Sequence, residues 1–179
     1  MVRFFVTFLL LLALLFGLEL TPWVQRWFVV PWTNALAQFS TWLVTLFDAN
    51  VVATGKVMRS TANGFAVSIE AGCNGVEATI VLIAAILAFP ASWQRKLAGL
   101  AAGIVAVQGL NVVRVISLFY LGQWSFQVFE WAHLYLWQAL IMLDVLVVWL
   151  IWIRTLPPLP PRSSPPPPPG SGSLPATAS

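Results

Sequence analysis

The sequence predicts an all-α polytopic membrane protein with about four transmembrane helices, an interfacial helix and a small extramembrane β-hairpin. Three observations predict it. Of 179 residues, 59% are hydrophobic and only 8% charged, against roughly a quarter charged in soluble domains. The apolar residues fall in runs long enough to cross a bilayer. Ten residues are Trp, whose indole ring favours the headgroup boundary.

The charge pattern narrows the function classes. Nine Lys and Arg give a net charge of +3, but they stand scattered, without the basic patch that tracks phosphate backbones, so nucleic acid is excluded as a partner. A single Cys excludes an intrachain disulfide and any two-Cys metal or redox pair.

Residues 4–20 are almost purely apolar, and no small-residue cleavage site follows before Glu19, Thr21 and Pro22, so they read as an uncleaved first transmembrane helix. Residues 27–47 carry Asn34, Gln38, Thr41 and Thr45 on one helical face and Leu36, Phe39, Trp42, Leu43 and Leu46 on the other. That amphipathicity predicts a helix lying in the interface or packed on the bundle rather than spanning alone.

Residues 51–69 turn strand-like, with Asn63-Gly64 as a hairpin signal and Phe65, Val67 and Ile69 alternating with small or polar residues. Residues 76–93, 97–121 and 134–153 then supply three further crossings, the first near the lower length limit. Arg3, Arg95, Lys96, Arg154 and Arg162 fall on one side, which the positive-inside rule makes cytoplasmic, with Arg26, Lys56 and Arg59 as a moderate counter-signal in the outward-facing segment. A crossing by residues 27–47 would reverse the sides after it. Residues 1–154 form the membrane domain in this reading. Residues 155–179, with five consecutive prolines from Pro165 to Pro169, are expected to be a disordered cytoplasmic tail.

Three residues stand out. Cys73 sits in Ala-Gly-Cys-Asn-Gly-Val-Glu ahead of a helix, where unpaired amides and the helix dipole favour thiolate. Gly72 and Gly75 permit a sharp turn and close backbone approach. The bland alternative is a Cys used as a small apolar filler. Arg114 lies inside the apolar run Asn-Val-Val-Arg-Val-Ile-Ser, 18 residues beyond Lys96, or roughly 27 Å along a helix.

A guanidinium at that depth needs a partner or a cavity. Snorkelling or an ion pair with Glu77 or Glu130 would serve structurally, whereas Gln108, Asn111 and Ser117 around it argue for a polar face turned into the bundle. His133, the only His, stands where the last helix begins. The three fall in one outer layer. Together they form a minimum set for acyl transfer from a peptide bond: nucleophile, acid/base and fixed positive charge. A competing reading from the residues alone is a non-enzymatic scaffold or transport subunit.

These segments, residues 71–77, 111–117 and Trp131-Ala-His-Leu-Tyr135, resemble the three signature blocks of the exosortase/archaeosortase family, most closely its short exosortase H branch. The resemblance implies a multi-pass inner-membrane cysteine protease/transpeptidase of Gram-negative bacteria, surrounded by lipid, needing no cofactor or metal, and facing the periplasm with its active site. Its implied substrates are secreted proteins ending in a short motif, a hydrophobic helix and a basic cluster. Cys73 is the implied nucleophile, Arg114 the electrostatic partner and His133 the acid/base. Glu77 and Asp144 could each orient a neighbour or pair with Arg114, but a structural role suits both better, because a carboxylate beside Cys73 opposes thiolate formation.

Overall fold

A computed structural model describes residues 2–157. The expected disordered tail lies, from residue 158 onward, outside the described residues. Helix α1 (Val2–Glu19) leads through a short α2 (Pro22–Val24) and a π-helical turn (Gln25–Val29) into α3 (Val30–Thr45). Strands β1 (Val51–Thr54), β2 (Val57–Ser60) and β3 (Ala66–Ser68) follow. The chain continues through α4 (Val76–Ala88), α5 (Trp93–Trp124), α6 (Phe126–Trp131), a second π-helical turn (Ala132–Leu136) and α7 (Trp137–Arg154).

Three helical runs are long and apolar enough to cross a membrane: Val2–Glu19, Trp93–Trp124 and Phe126–Arg154. The fourth expected crossing is shorter. At 13 residues, α4 extends only about 20 Å, because Phe89 precedes Pro90 and adopts an extended conformation (φ −74°, ψ 138°) that ends the helix. Its burial explains why so short a helix is stable here. Leu82 and Ile86 are fully covered, packed with Val107 of α5 and with Ile141 and Val145 of α7.

The helices alternate in direction. Phe4 of α1 packs edge-on to Phe89 just past α4, their ring centroids 6.0 Å apart, while Leu15 and Phe16 meet Val76 and Ile80 at the other end. Lys96 donates to the Leu87 carbonyl (2.6 Å) and Arg95 to the Thr155 carbonyl (2.9 Å). The basic residues at the helix ends thus collect at one pole of the bundle, and the sheet with the turn bearing Cys73 occupies the other.

Helix α3 packs on that second pole, as expected, but by a different face: Thr33, Ser40 and Thr41 are buried with Leu36, Ala37 and Val44, while Phe39, Trp42 and Leu46 of the expected apolar face stay exposed. Its Leu36, Ala37 and Val44 form a core with Val51, Met58 and Ile69 from the sheet region and Val112, Val115 and Phe119 of α5. Residues 51–69 form three antiparallel strands in the order β1-β2-β3 rather than one hairpin. Asn63-Gly64 makes the second turn, with the Asn63 side chain accepting from the Phe65 N–H (3.0 Å) and Gly64 at φ +76°. The first turn uses Gly55, at φ +59°. Asn63 also donates to Gln123 (2.8 Å), and a Cβ on Gly122 would strike the Phe65 ring, so the sheet is seated on the end of α5.

Candidate active site

The turn between the sheet and α4 is shaped by two glycines in the left-handed region, Gly72 (φ +81°) and Gly75 (φ +73°). Asn74 holds it from within. This Asn is 1% exposed; its side chain accepts from the Val76 N–H (3.0 Å) and donates to Thr33 (3.1 Å), and its carbonyl accepts from the Trp32 indole (3.2 Å). Glu77 reaches back from the first turn of α4 to accept the Gly72 N–H at 2.6 Å.

From α5, Gln108 donates to the Gly75 carbonyl (3.1 Å) and to Thr79 (3.0 Å). A Cβ on Gly75 would stand 2.9 Å from both Gln108 amide atoms and 3.1 Å from Asn111 Nδ2. Gly75 is therefore required twice, for its backbone angle and for its missing side chain.

Cys73, Arg114 and His133 meet beside this turn. Arg114, 2% exposed, places Nη2 3.5 Å from Cys73 Sγ and donates from Nη1 to the Gly72 carbonyl at 3.3 Å. Both ring nitrogens of His133 stand 3.9 Å from the sulfur. The imidazole stacks on Phe129, nearly parallel with centroids 5.7 Å apart, and projects from the π-helical turn, a local irregularity frequent at functional sites. A cleft of about 210 Å³ opens over the group, walled by residues 67–71 on one side and by Phe129 and His133 on the other.

Electrostatics differ from the sequence expectation at Cys73. The thiol lies two residues before the helix N-cap at Gly75, and burial pushes its pKa above the usual range; Arg114 pulls it down, while Glu77 and Glu70 add to the rise. The helix N-terminus does not overcome desolvation, so the resting sulfur is held toward the thiol form, with the His133 imidazole 3.9 Å away.

Arg114 has no carboxylate partner: among the described residues the one ion pair is Lys56–Glu70, so neither Glu77 nor Glu130 neutralises it. Asp144 keeps a buried oxygen without a hydrogen-bond partner and forms no ion pair with Arg114. Sequence reasoning passed over Asn74 and the Gln108 contact with Gly75. The visible signal for the first was an Asn between two motif glycines.

No group of three or more His, Cys, Asp or Glu residues that could hold a metal ion occurs among the described residues. The fold and the grouped thiol, guanidinium and imidazole define a polytopic membrane protein with a cysteine-centred cluster at one pole. Residues 3–151 match the transmembrane exosortase family, and the chain belongs to that family. Neither the curated proteins nor the solved structures contain a match to it.

Proposed function

We propose that the chain is an inner-membrane cysteine peptidase/transpeptidase that cleaves the C-terminal sorting signal of secreted proteins through a thioacyl intermediate. The observation that carries the proposal is the meeting of three chemistries at one sulfur: Arg114 Nη2 at 3.5 Å and the His133 imidazole at 3.9 Å from Cys73 Sγ. Family membership supports protein sorting as the setting. The clustering of basic residues at the opposite pole supports a periplasmic site under the positive-inside rule.

A thiol beside a base and a fixed cation can run both halves of an acyl transfer. His133 takes the Cys73 proton as sulfur attacks the scissile carbonyl. The resulting oxyanion lies beside a guanidinium that is already desolvated, so its stabilisation needs little reorganisation. Collapse breaks the C–N bond, and His133 returns the proton to the departing amine of the sorting signal. An acceptor amine or water then loses a proton to His133 and attacks the thioester, regenerating the thiol. The equal distances from the two His133 nitrogens mean that a ring rotation aims one of them at the sulfur, a tightening common on substrate binding.

Co-expression of this chain with a secreted protein ending in a short motif, a hydrophobic helix and a basic cluster tests the proposal. Mass spectrometry should show a trimmed C-terminus with wild type and the intact precursor with Cys73→Ala. Normal trimming by Cys73→Ala would refute it. The new end also separates the two outcomes of the thioester: a free carboxylate marks hydrolysis, and an adduct marks transfer and identifies the acceptor.

A further inference from the structure

Strand β3 is an edge of the sheet, paired with β2 alone. The Ser60 N–H donates to the Phe65 carbonyl (2.8 Å), the Ile69 N–H donates to the Lys56 carbonyl (3.0 Å), and Met58 and Val67 are register partners between them. An antiparallel ladder engages alternate residues, so Phe65, Val67 and Ile69 turn their backbone groups toward β2. Ala66, Ser68 and Glu70 turn theirs away. Ala66 and Ser68 are exposed, and among the described residues their N–H and C=O groups make no hydrogen bond outside the ladder. The Glu70 carbonyl accepts the Cys73 N–H at 2.9 Å, which ties the strand directly to the thiol turn.

Five consecutive residues, from Val67 to Ala71, line the cleft that holds Cys73. Successive side chains of a strand point to opposite faces. Val67 and Ser68 are consecutive residues of β3 and both line the cleft, so the strand presents its edge there, and the chain continues from it through Ile69, Glu70 and Ala71 along the same wall. Proteins usually guard such an edge with Lys or Pro, and neither occurs in residues 66–70.

We propose that the peptide to be cleaved binds as a fourth strand along β3, its main chain hydrogen-bonded to Ala66, Ser68 and the N–H of Glu70, and its scissile carbonyl delivered to Cys73. The inference rests on Cys73 as the acylated residue and adds how the donor is held. Recognition of this kind reads the main chain first, so the segment ahead of the cleaved bond must be extended, with side chains discriminated only at alternate positions.

The probe is acetyl-tetraalanyl chloromethyl ketone, offered to the full chain in lipid nanodiscs and followed by mass spectrometry at Cys73, where the sulfur displaces chloride. Each alanine is N-methylated in turn. Strand addition predicts labelling slowed about fivefold, the effect of one lost hydrogen bond, at every second alanine and little changed at those between. A uniform effect, or none, overturns the fourth strand.

Ser68→Pro deletes an outward N–H and spares the ladder; it should slow the peptide reagent about fivefold while iodoacetamide labels Cys73 at the wild-type rate. Labelling by both reagents with no periodicity and no Ser68→Pro effect removes the strand while leaving Cys73 as nucleophile. Failure of both reagents to label Cys73 removes the nucleophile and, with it, the strand.

Discussion

Arg114 and Cys73 are joined by a guanidinium that serves two neighbours at once, with Nη2 3.5 Å from the sulfur and Nη1 on the carbonyl of Gly72 at 3.3 Å. One planar group thus holds both the thiol and the backbone that carries it. Lysine offers a point charge without the fork. Arg114→Lys should therefore reduce processing about 10- to 100-fold, the cost of a charge-assisted hydrogen bond, while the protein still assembles in the membrane. Wild-type turnover by Arg114→Lys would reduce the role to generic charge.

The direction of the Cys73 shift fixes a pH dependence. Burial, opposed by Arg114 and reinforced by Glu77, raises the thiol, and the reactive form is the deprotonated one. Alkylation by iodoacetamide should thus reach half its maximal rate above pH 8.5, about where an unperturbed cysteine does. Glu77→Gln removes a group that raises the thiol and should move the midpoint down; Arg114→Gln should move it up. A midpoint below that of free cysteine, or shifts in the reverse order, would contradict the electrostatics.

How much of this was legible in the sequence depends on the range of the interaction. The alignment of Cys73, Arg114 and His133 follows from helix rise and alternating direction, which are local rules. The turn at Asn63-Gly64 is legible for the same reason. The turn at Gly55 was missed because Thr-Gly-Lys lacks the strong dipeptide signal. The clamp of Gln108 on Gly75 is tertiary: the polar face of α5 shows in the spacing, but its object lies on another helix. The Cys73 environment was misjudged because a helix N-terminus is visible in sequence and desolvation is not.

Gly72 and Gly75 separate two kinds of strain. Both occupy the left-handed region, but nothing lies within 4 Å of a Cβ placed on Gly72, whereas one on Gly75 meets Gln108 and Asn111. Gly72→Ala should cost about 1–2 kcal/mol of backbone strain. Gly75→Ala adds overpacking of about 1–3 kcal/mol and moves the turn that carries Cys73. Thermal unfolding in nanodiscs should rank the variants in that order, with the larger loss of processing for Gly75→Ala; equal behaviour would show that Gln108 and Asn111 yield freely.

The ion pair between Lys56 and Glu70 offers a contrast. The Glu70 carboxyl is held below its ordinary range, first by the hydrogen bond from Lys56 and then by that from Ser68. A depressed carboxylate contributes stability above its unfolded pKa, near 4.3, and that contribution fades as pH falls through the folded value. Both side chains are largely solvent-exposed, so screening leaves little. Lys56→Ala should change stability by less than about 1 kcal/mol at pH 7. A larger loss in thermal unfolding would mean that the pair anchors the sheet.

At the basic pole, Gly99 and Gly103 of α5 form a small-residue pair of the kind that lets membrane helices approach closely. A Cβ on Gly99 would overlap the Trp152 indole, which cannot retreat easily because its N–H donates to the Arg95 carbonyl at 3.0 Å. A Cβ on Gly103 meets Leu82 Cδ2 at 2.7 Å and Val148 Cγ1 at 3.3 Å, a milder overlap with the methyl ends of aliphatic side chains that no hydrogen bond fixes. Gly99→Ala should therefore destabilise more than Gly103→Ala, by about 1–3 kcal/mol. Arg114 is 15 residues further along the same helix, about 22 Å away, so the surviving folded fraction of Gly99→Ala should keep the wild-type rate of Cys73 alkylation. Slower alkylation in that fraction would show that the packing of α5 on α7 governs the thiol from the opposite pole.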